Sequence, residues 1–222
     1  FRSQRVHTVN AAAALLGIEK GMDPSSARVL AAEQPLQLLA REPATEAAAL
    51  ESLTCWAYGV TPHLYVFRGD CLMLEIGGSL RLFGGVDAIL RLCRRGLASR
   101  GYSVDTAVAP TPLAAWALSL VSEDAGAAQL PLEERLAPLP TALLGGLDTQ
   151  FEELARSGLG RLGDVLALPP AAVSRRCGRV FGELLQHLRG TTTPPVVHFE
   201  PPSCFTDSYP LGYPVRHQDE LG

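Results

Sequence analysis

The sequence predicts an α+β fold: a small mixed or antiparallel sheet with helices on one face, followed by a helical domain. Three observations predict it. Residues 63–67 and 71–76 carry the apolar pattern of two strands, parted by the turn-forming Arg68-Gly69-Asp70. From 86 to 100 the period becomes helical, with Val86, Ile89, Leu90, Cys93 and Leu97 on one stripe and Arg91, Arg94, Arg95 and Arg100 on the polar face. Residues 151–169 then read as helix, Gly-rich turn and helix, with Leu at packing positions.

Each element follows in order. Residues 10–16 are rich in Ala and Leu and close at Gly17, a helix-stopping residue. Asp23-Pro24 opens a second short helix through Leu30, with Asp as N-cap and Pro at the first helical position. Residues 44–56 form a longer amphipathic helix, with Ala48, Leu50, Leu53 and Trp56 toward the core. After the hairpin and the 86–100 helix, residues 103–109 read as a third strand, and Pro110-Thr111-Pro112 starts a helix through Val121. Residues 63–121 therefore read β-β-α-β-α. Residues 122–142 are a polar, Pro-rich crossover; in it Gln129-Leu130-Pro131-Leu132 lacks the terminal aromatic of a sliding-clamp peptide. Residues 143–190 are several short helices holding six arginines, and 191–222 hold six prolines and read as an extended linker. The expected divisions are 1–58, 59–124, 125–190 and 191–222.

Composition excludes several classes. Of 222 residues 47% are hydrophobic and 19% charged, which is not a disordered tail. No apolar run reaches the roughly 18 residues of a membrane span. The N-terminus lacks both the apolar core of a signal peptide and an initiator Met, so a fragment start is expected. The net charge of −4 argues against a protein coated in positive potential but leaves room for a local basic patch. Eighteen of the nineteen basic residues are Arg, Lys20 being the exception. Cys55, Cys71, Cys93, Cys177 and Cys204 are odd in number, without a CxxC pair, and read as reduced thiols in or near the core. The five histidines lack metal spacing, and Gly77-Gly78 and Gly84-Gly85 lack the Gly-Lys-Ser/Thr of a phosphate-binding loop. No metal site is expected.

The 151–169 segment carries the most specific chemistry. Its glycines permit a tight turn and close approach of a phosphate, and the second helix is expected to offer free N–H groups and its positive dipole end. Gly158, Gly160, Arg161 and Gly163, with Arg175, Arg176 and Arg179 just beyond, are the candidate contacts to a DNA backbone. Such contacts hold DNA without reading its sequence. The other reading is a structural helical hairpin with solvated arginines.

A family resemblance enters at Asp70-Cys71-Leu72-Met73-Leu74-Glu75-Ile76-Gly77-Gly78-Ser79. It resembles the palm motif Ser-Ile-Asp-Glu-Ala-Phe-Leu-Asp-Val-x-Gly-Ser of the Y-family, translesion DNA polymerases. Asp70 falls on that family's catalytic Asp and Cys71 on its catalytic Glu. Asn10 through Met22 resembles the fingers stretch, Val108 through Ala117 the start of a palm helix, and 151–169 the thumb. The resemblance implies fingers at 1–58, a palm at 59–124, a thumb at 125–190 and a linker toward a little finger that the fragment lacks. The departures are specific. The nucleotide-holding Tyr and Arg of the fingers fall on Ala11 and Ala14, and the palm-helix lysines on Pro112 and Trp116. The palm strand with the other metal-binding Asp would precede Phe1. These losses, with Gly77 through Gly85 intact, resemble the ImuB-like, catalytically degenerate branch. That resemblance implies a non-catalytic DNA-binding scaffold of bacterial damage-induced translesion synthesis, cytoplasmic and nucleoid-associated. Its implied partners are DNA, a sliding clamp, a RecA-like ImuA partner and an error-prone replicative-type polymerase. No cofactor is expected. Magnesium would be needed only by the alternative, an active Y-family polymerase. A generic helix-hairpin-helix repair module is the third reading.

Overall fold

The computed structural model describes residues 5–32, 34–121 and 130–202. It forms two compact units, Phe1–Leu50 and Glu51–Gly222.

The first unit is built on short capped helices. Helix α1 (Ala11–Leu15) begins at Asn10, whose side chain accepts the Ala13 N–H. It ends with Gly17 at φ 78°, while the Ile18 N–H returns to the Ala13 carbonyl at 3.2 Å and the Gly17 N–H to Ala14 at 2.9 Å. This crossed pair of bonds satisfies the last carbonyls of the helix. Helix α2 (Pro24–Ala31) is capped by Asp23. Hydrogen bonds from Ser25 and Ser26 hold the Asp23 carboxyl well below the usual carboxylate range. Val6 pairs with Gly21 and Met22 through two 2.8 Å backbone bonds, and Ile18, Ala27 and Ala31 are buried. Helix α3 (Pro43–Ala57) starts in this unit, where the Arg41 Nε–H donates to both Glu46 carboxylate oxygens, at 2.7 and 2.9 Å.

The second unit opens with the end of α3. Strands β1 (Leu64–Phe67) and β2 (Cys71–Leu74) form an antiparallel pair, with Leu64 opposite Leu74 and Phe67 opposite Cys71. A 3-10 turn at Gly77–Ser79 leads into α4 (Leu80–Phe83) and α5 (Val86–Ala98). Gly84, at φ 80°, closes α4 in the left-handed conformation. Helix α5 buries Ile89 and Leu97. The Trp56 ring lies against its Gly96, where a Cβ would stand 2.2 Å from the indole. Helix α6 (Pro112–Ser119) buries Leu113, Ala114, Trp116, Ala117 and Leu118. There follow α7 (Leu132–Leu136), a 3-10 turn at Thr141–Leu144, α8 (Gln150–Arg156), α9 (Leu162–Leu166), α10 (Pro170–Cys177) and α11 (Arg179–Leu188). One apolar core joins Met73 of β2, the buried face of α6, and Leu136, Phe151, Leu162, Val173 and Phe181 of the later helices. Phe151 and Phe181 meet edge-on at 4.9 Å.

The α+β class holds, with a correction. Residues 103–109 form no strand: the described residues contain one two-stranded sheet, β1 with β2. A strand needs a ladder, and this stretch is instead fastened through side chains. Arg135 donates to the Val108 carbonyl at 2.6 Å, and Arg94 donates to the Thr106 hydroxyl at 2.8 Å. Residues 191–202, the described part of the 191–222 segment, form no helix or strand. There the Phe199 N–H donates to the Leu64 carbonyl at 2.7 Å, and His198 packs edge-on against His63 and Tyr65. Residues 203–222, with Cys204, and the start of the crossover, with Gln129, lie outside the described residues.

Candidate nucleic-acid interface

The hairpin turn carries the first group of candidate residues. Arg68 at φ 57° and Gly69 at φ 81° give the pair of left-handed residues that a tight hairpin turn uses. Asp70 sits exposed at the end of this turn, and Cys71 begins β2 half-buried. Burial, then the charge of Asp70, push the Cys71 thiol up to about 11. It is a neutral thiol at pH 7, and a hard cation such as magnesium prefers oxygen. The Glu75 carboxylate accepts the Gly77 N–H at 2.7 Å. Among the described residues no three His, Cys, Asp or Glu side chains gather in a metal-holding group. The donors at this turn do not fit a pair of magnesium ions.

Of the four positions that the resemblance matches to nucleotide contacts, Trp116 and Pro112 are taken up in packing. Trp116 is 9% exposed and belongs to the main core. Phe67 meets it edge-on at 5.9 Å, and the Arg68 guanidinium lies over its ring at 5.3 Å. The same guanidinium donates to the Gly146 carbonyl at 2.7 Å. Pro112 opens α6 and lines a mainly apolar cavity of about 260 Å³ with Tyr65, Phe67, Leu147 and Leu184. In the first unit Ala11 and Ala14 are both exposed, three residues apart on α1. They offer neither charge nor a hydroxyl.

The Gly-rich turn between α8 and α9 carries the second group. Gly158, at φ 93°, needs to be glycine for the turn to form. Gly160 is outside the left-handed range, and a Cβ there would meet nothing within 4 Å. Here the structure corrects the expected role of the second helix. The Leu162 N–H donates to the Leu139 carbonyl at 2.8 Å and the Gly163 N–H to Ala137 at 3.1 Å. A Cβ on Gly163 would lie 2.9 Å from that of Ala137. The start of α9 is thus sealed against α7, and Gly163 is a packing glycine. The open donors lie one step earlier: among the described residues the N–H groups of Gly160 and Arg161 meet no protein acceptor. Arg161 is exposed and donates to the Pro138 carbonyl at 3.3 Å.

Helix pairing also differs from the expected hairpin. α9 packs on α7 and α8 on the Thr141–Leu144 turn, while α10 and α11 are the pair that pack closely on each other. Gly182 permits this, since its Cβ would fall 2.3 Å from the Ser174 hydroxyl oxygen. The corner between them is Gly178, at φ 91°. Arg175 and Arg176 end α10, and Arg179 begins α11. All three are exposed, and Arg179 has a 3.5 Å ion pair with Glu183. Sequence reading missed Arg68, because its clasp on Trp116 and Gly146 joins residues far apart in the chain. A turn residue that is neither Gly nor Asn at a left-handed position was the available signal.

Residues 1–119 match the profile of the IMS (impB/mucB/samB) family. The chain belongs to this family. It is an ImuB-like homologue of the Y-family polymerases. Protein ImuB of Caulobacter vibrioides, in two strains, is 34% identical over an alignment of 187 residues that covers 81% of this chain and 40% of the relative. The chain therefore spans about two fifths of the length of these curated relatives. Among solved structures, DinB from Sulfolobus solfataricus superposes with a TM-score of 0.65 at 19% identity, covering 86% of this chain and 58% of that one. Dbh DNA polymerase in an insertion ternary complex gives 0.61 at 19% identity, covering 88% and 59%. At that identity the likeness shows the fold. Among the described residues of this IMS-family chain no helix is long and apolar enough to cross a membrane.

Proposed function

We propose that this chain is part of a non-catalytic, DNA-binding scaffold of bacterial damage-induced translesion synthesis. Trp116 carries the reading. A position matched to a nucleotide-holding lysine is a core tryptophan roofed by Arg68. A cation on a triphosphate works by charge neutralisation and positioning, and an indole supplies neither. The neutral Cys71 thiol and the bare Ala11 and Ala14 support the same conclusion.

In this reading 1–58 is fingers-like, 59–124 palm-like, 125–190 thumb-like, and 191–222 leads toward a little finger. The thumb-like part holds a DNA backbone, independent of sequence. The Gly160 and Arg161 N–H groups meet a phosphate at the glycine turn, and Arg175, Arg176 and Arg179 add charge at the α10–α11 corner. Gly158 shapes the turn. The ImuB-like relationship supports a cytoplasmic, nucleoid-associated role, with a sliding clamp, a RecA-like ImuA partner and an error-prone replicative-type polymerase as partners. No cofactor is required.

Primer extension tests the proposal. The full-length protein, with magnesium and all four nucleotides, is expected to leave a primer unextended, and Cys71→Glu alone is expected to leave it so. Extension by the wild type that disappears in Asp70→Ala would establish an active Y-family polymerase instead.

A further inference from the structure

Outside the glycine turn and the α10–α11 corner, the α4–α5 segment concentrates positive charge without visible use. Between residues 81 and 100 there are five arginines and a single acid, Asp87, in a chain whose net charge is −4. All five arginines are exposed. On α5, Ile89 and Leu97 take the buried side, so Arg91 and Arg95 project from the other, one helical turn apart. Like charges at this spacing repel and destabilise an isolated helix by a few tenths of a kcal/mol. Among the described residues no carboxylate stands within ion-pair distance of Arg81, Arg91 or Arg95. Two more guanidinium groups of the segment are held by contacts, Arg94 on α5 and Arg100 past its end. Arg94 is fixed on the Thr106 hydroxyl at 2.8 Å. Arg100 stacks over Trp56 at 4.9 Å and donates to the Gly96 carbonyl at 2.8 Å.

We propose that this α4–α5 segment is a second contact to a nucleic-acid backbone, separate from the glycine turn and the α10–α11 corner. It rests on the DNA-binding reading above. A cluster of exposed guanidinium groups with few acids beside it suits the phosphates of a duplex. An acidic protein partner would need an anchor pocket at the centre of its interface. Two cavities of the described residues, one on α6–α7 and one between β1, α6 and α11, are lined by none of these five arginines. The contact carries no base information, since arginines on a regular helix facing phosphates position without reading.

The test is fluorescence anisotropy of the full-length protein on a labelled duplex across a salt series. The Arg91→Gln/Arg95→Gln double variant is expected to bind more weakly, with a log–log salt slope shallower by up to about 1.8, at about 0.9 per phosphate contact. The Arg91→Lys/Arg95→Lys variant is expected to keep the slope, and circular dichroism should show both folded. An Arg175→Gln/Arg176→Gln variant reports the α10–α11 contact separately. Unchanged affinity and slope in the Gln variant, with normal binding by the wild type, overturn this contact alone. A slope lost equally in the Lys variant also overturns it, because charge would not be the cause. If binding to poly-glutamate falls in the Gln variant while duplex binding stays, the segment belongs to an acidic protein and the proposal fails. A wild type that binds no duplex overturns both this contact and the DNA-binding reading.

Discussion

Cys71 stands where the resemblance places a carboxylate, and its surroundings oppose a negative charge. Its thiol is raised from an ordinary value of 9.0 to about 11. The fold prefers the protonated form, so this contribution to stability is fully present below pH 9 and is lost as pH rises through about 11. Alkylation follows the thiolate. With iodoacetamide at pH 8, followed by mass spectrometry, Cys71 is expected to label well after the exposed Cys55. Its rate should climb as pH approaches 11. Equal labelling of the two at pH 8 would show a Cys71 thiol open to solvent. Sequence alone identified Cys71 as a departure. It could not show the burial behind the raised value, because burial depends on which elements pack over the hairpin.

At the scale of elements, glycine was the most informative and the most deceptive residue. Gly158, Gly160 and Gly163 look alike in sequence, yet the fold gives them three different reasons for being glycine. Gly158 needs a positive φ, Gly163 needs room beside Ala137, and Gly160 needs neither. Gly158→Ala is expected to cost about 1–2 kcal/mol in left-handed strain, and Gly163→Val about 1–3 kcal/mol in overpacking. Gly160→Val should leave the melting temperature near that of the wild type while weakening duplex binding, because its side chain would stand where a phosphate approaches. Thermal denaturation beside anisotropy separates the three. A Gly160→Val protein with native affinity would remove that turn from the DNA contact. Helix ends were legible because caps are local: Asn10, Asp23 and Gly17 each act within a few residues. The 103–109 stretch was misread for the opposite reason. Its alternation is that of a strand, but strand formation is decided by a neighbour, and here Arg135 and Arg94 hold it instead.

At the scale of the whole chain, a net charge of −4 means that, in the DNA-binding reading, a duplex would be held by local patches against a repulsive background. Salt should therefore act steeply. Changing Arg161 and Arg176 together to Ala is expected to weaken binding to two unrelated duplexes alike and to flatten the log–log salt slope by up to about 1.8. A loss confined to one duplex would mean base readout, and no loss would leave the α8–α11 helices structural. The order of the chain, helices, then hairpin and helices, then a glycine-rich helical part, was legible because each has its own period and punctuation. The clasp of Arg68 on Trp116 was not, since only the folded chain brings them together.

The bond from Phe199 to Leu64 has a further consequence, for solubility. In the register of the hairpin, Glu75 bonds to His63, so the backbone groups of Leu64 and Val66 point away from β2, along the edge of β1 that no strand pairs among the described residues. Val66 is 40% exposed there. A bare edge of apolar strand is a template for another molecule's strand, and covering it suppresses edge-to-edge growth. Residues 198–199 act as that cover. Phe199→Pro removes the one N–H that donates to Leu64. The variant is expected to associate with rising concentration in light scattering while its helix content in circular dichroism stays native. A variant that remains monodisperse would show that β1 tolerates an open edge, and that the return of the chain to it serves only to place the aromatic rings.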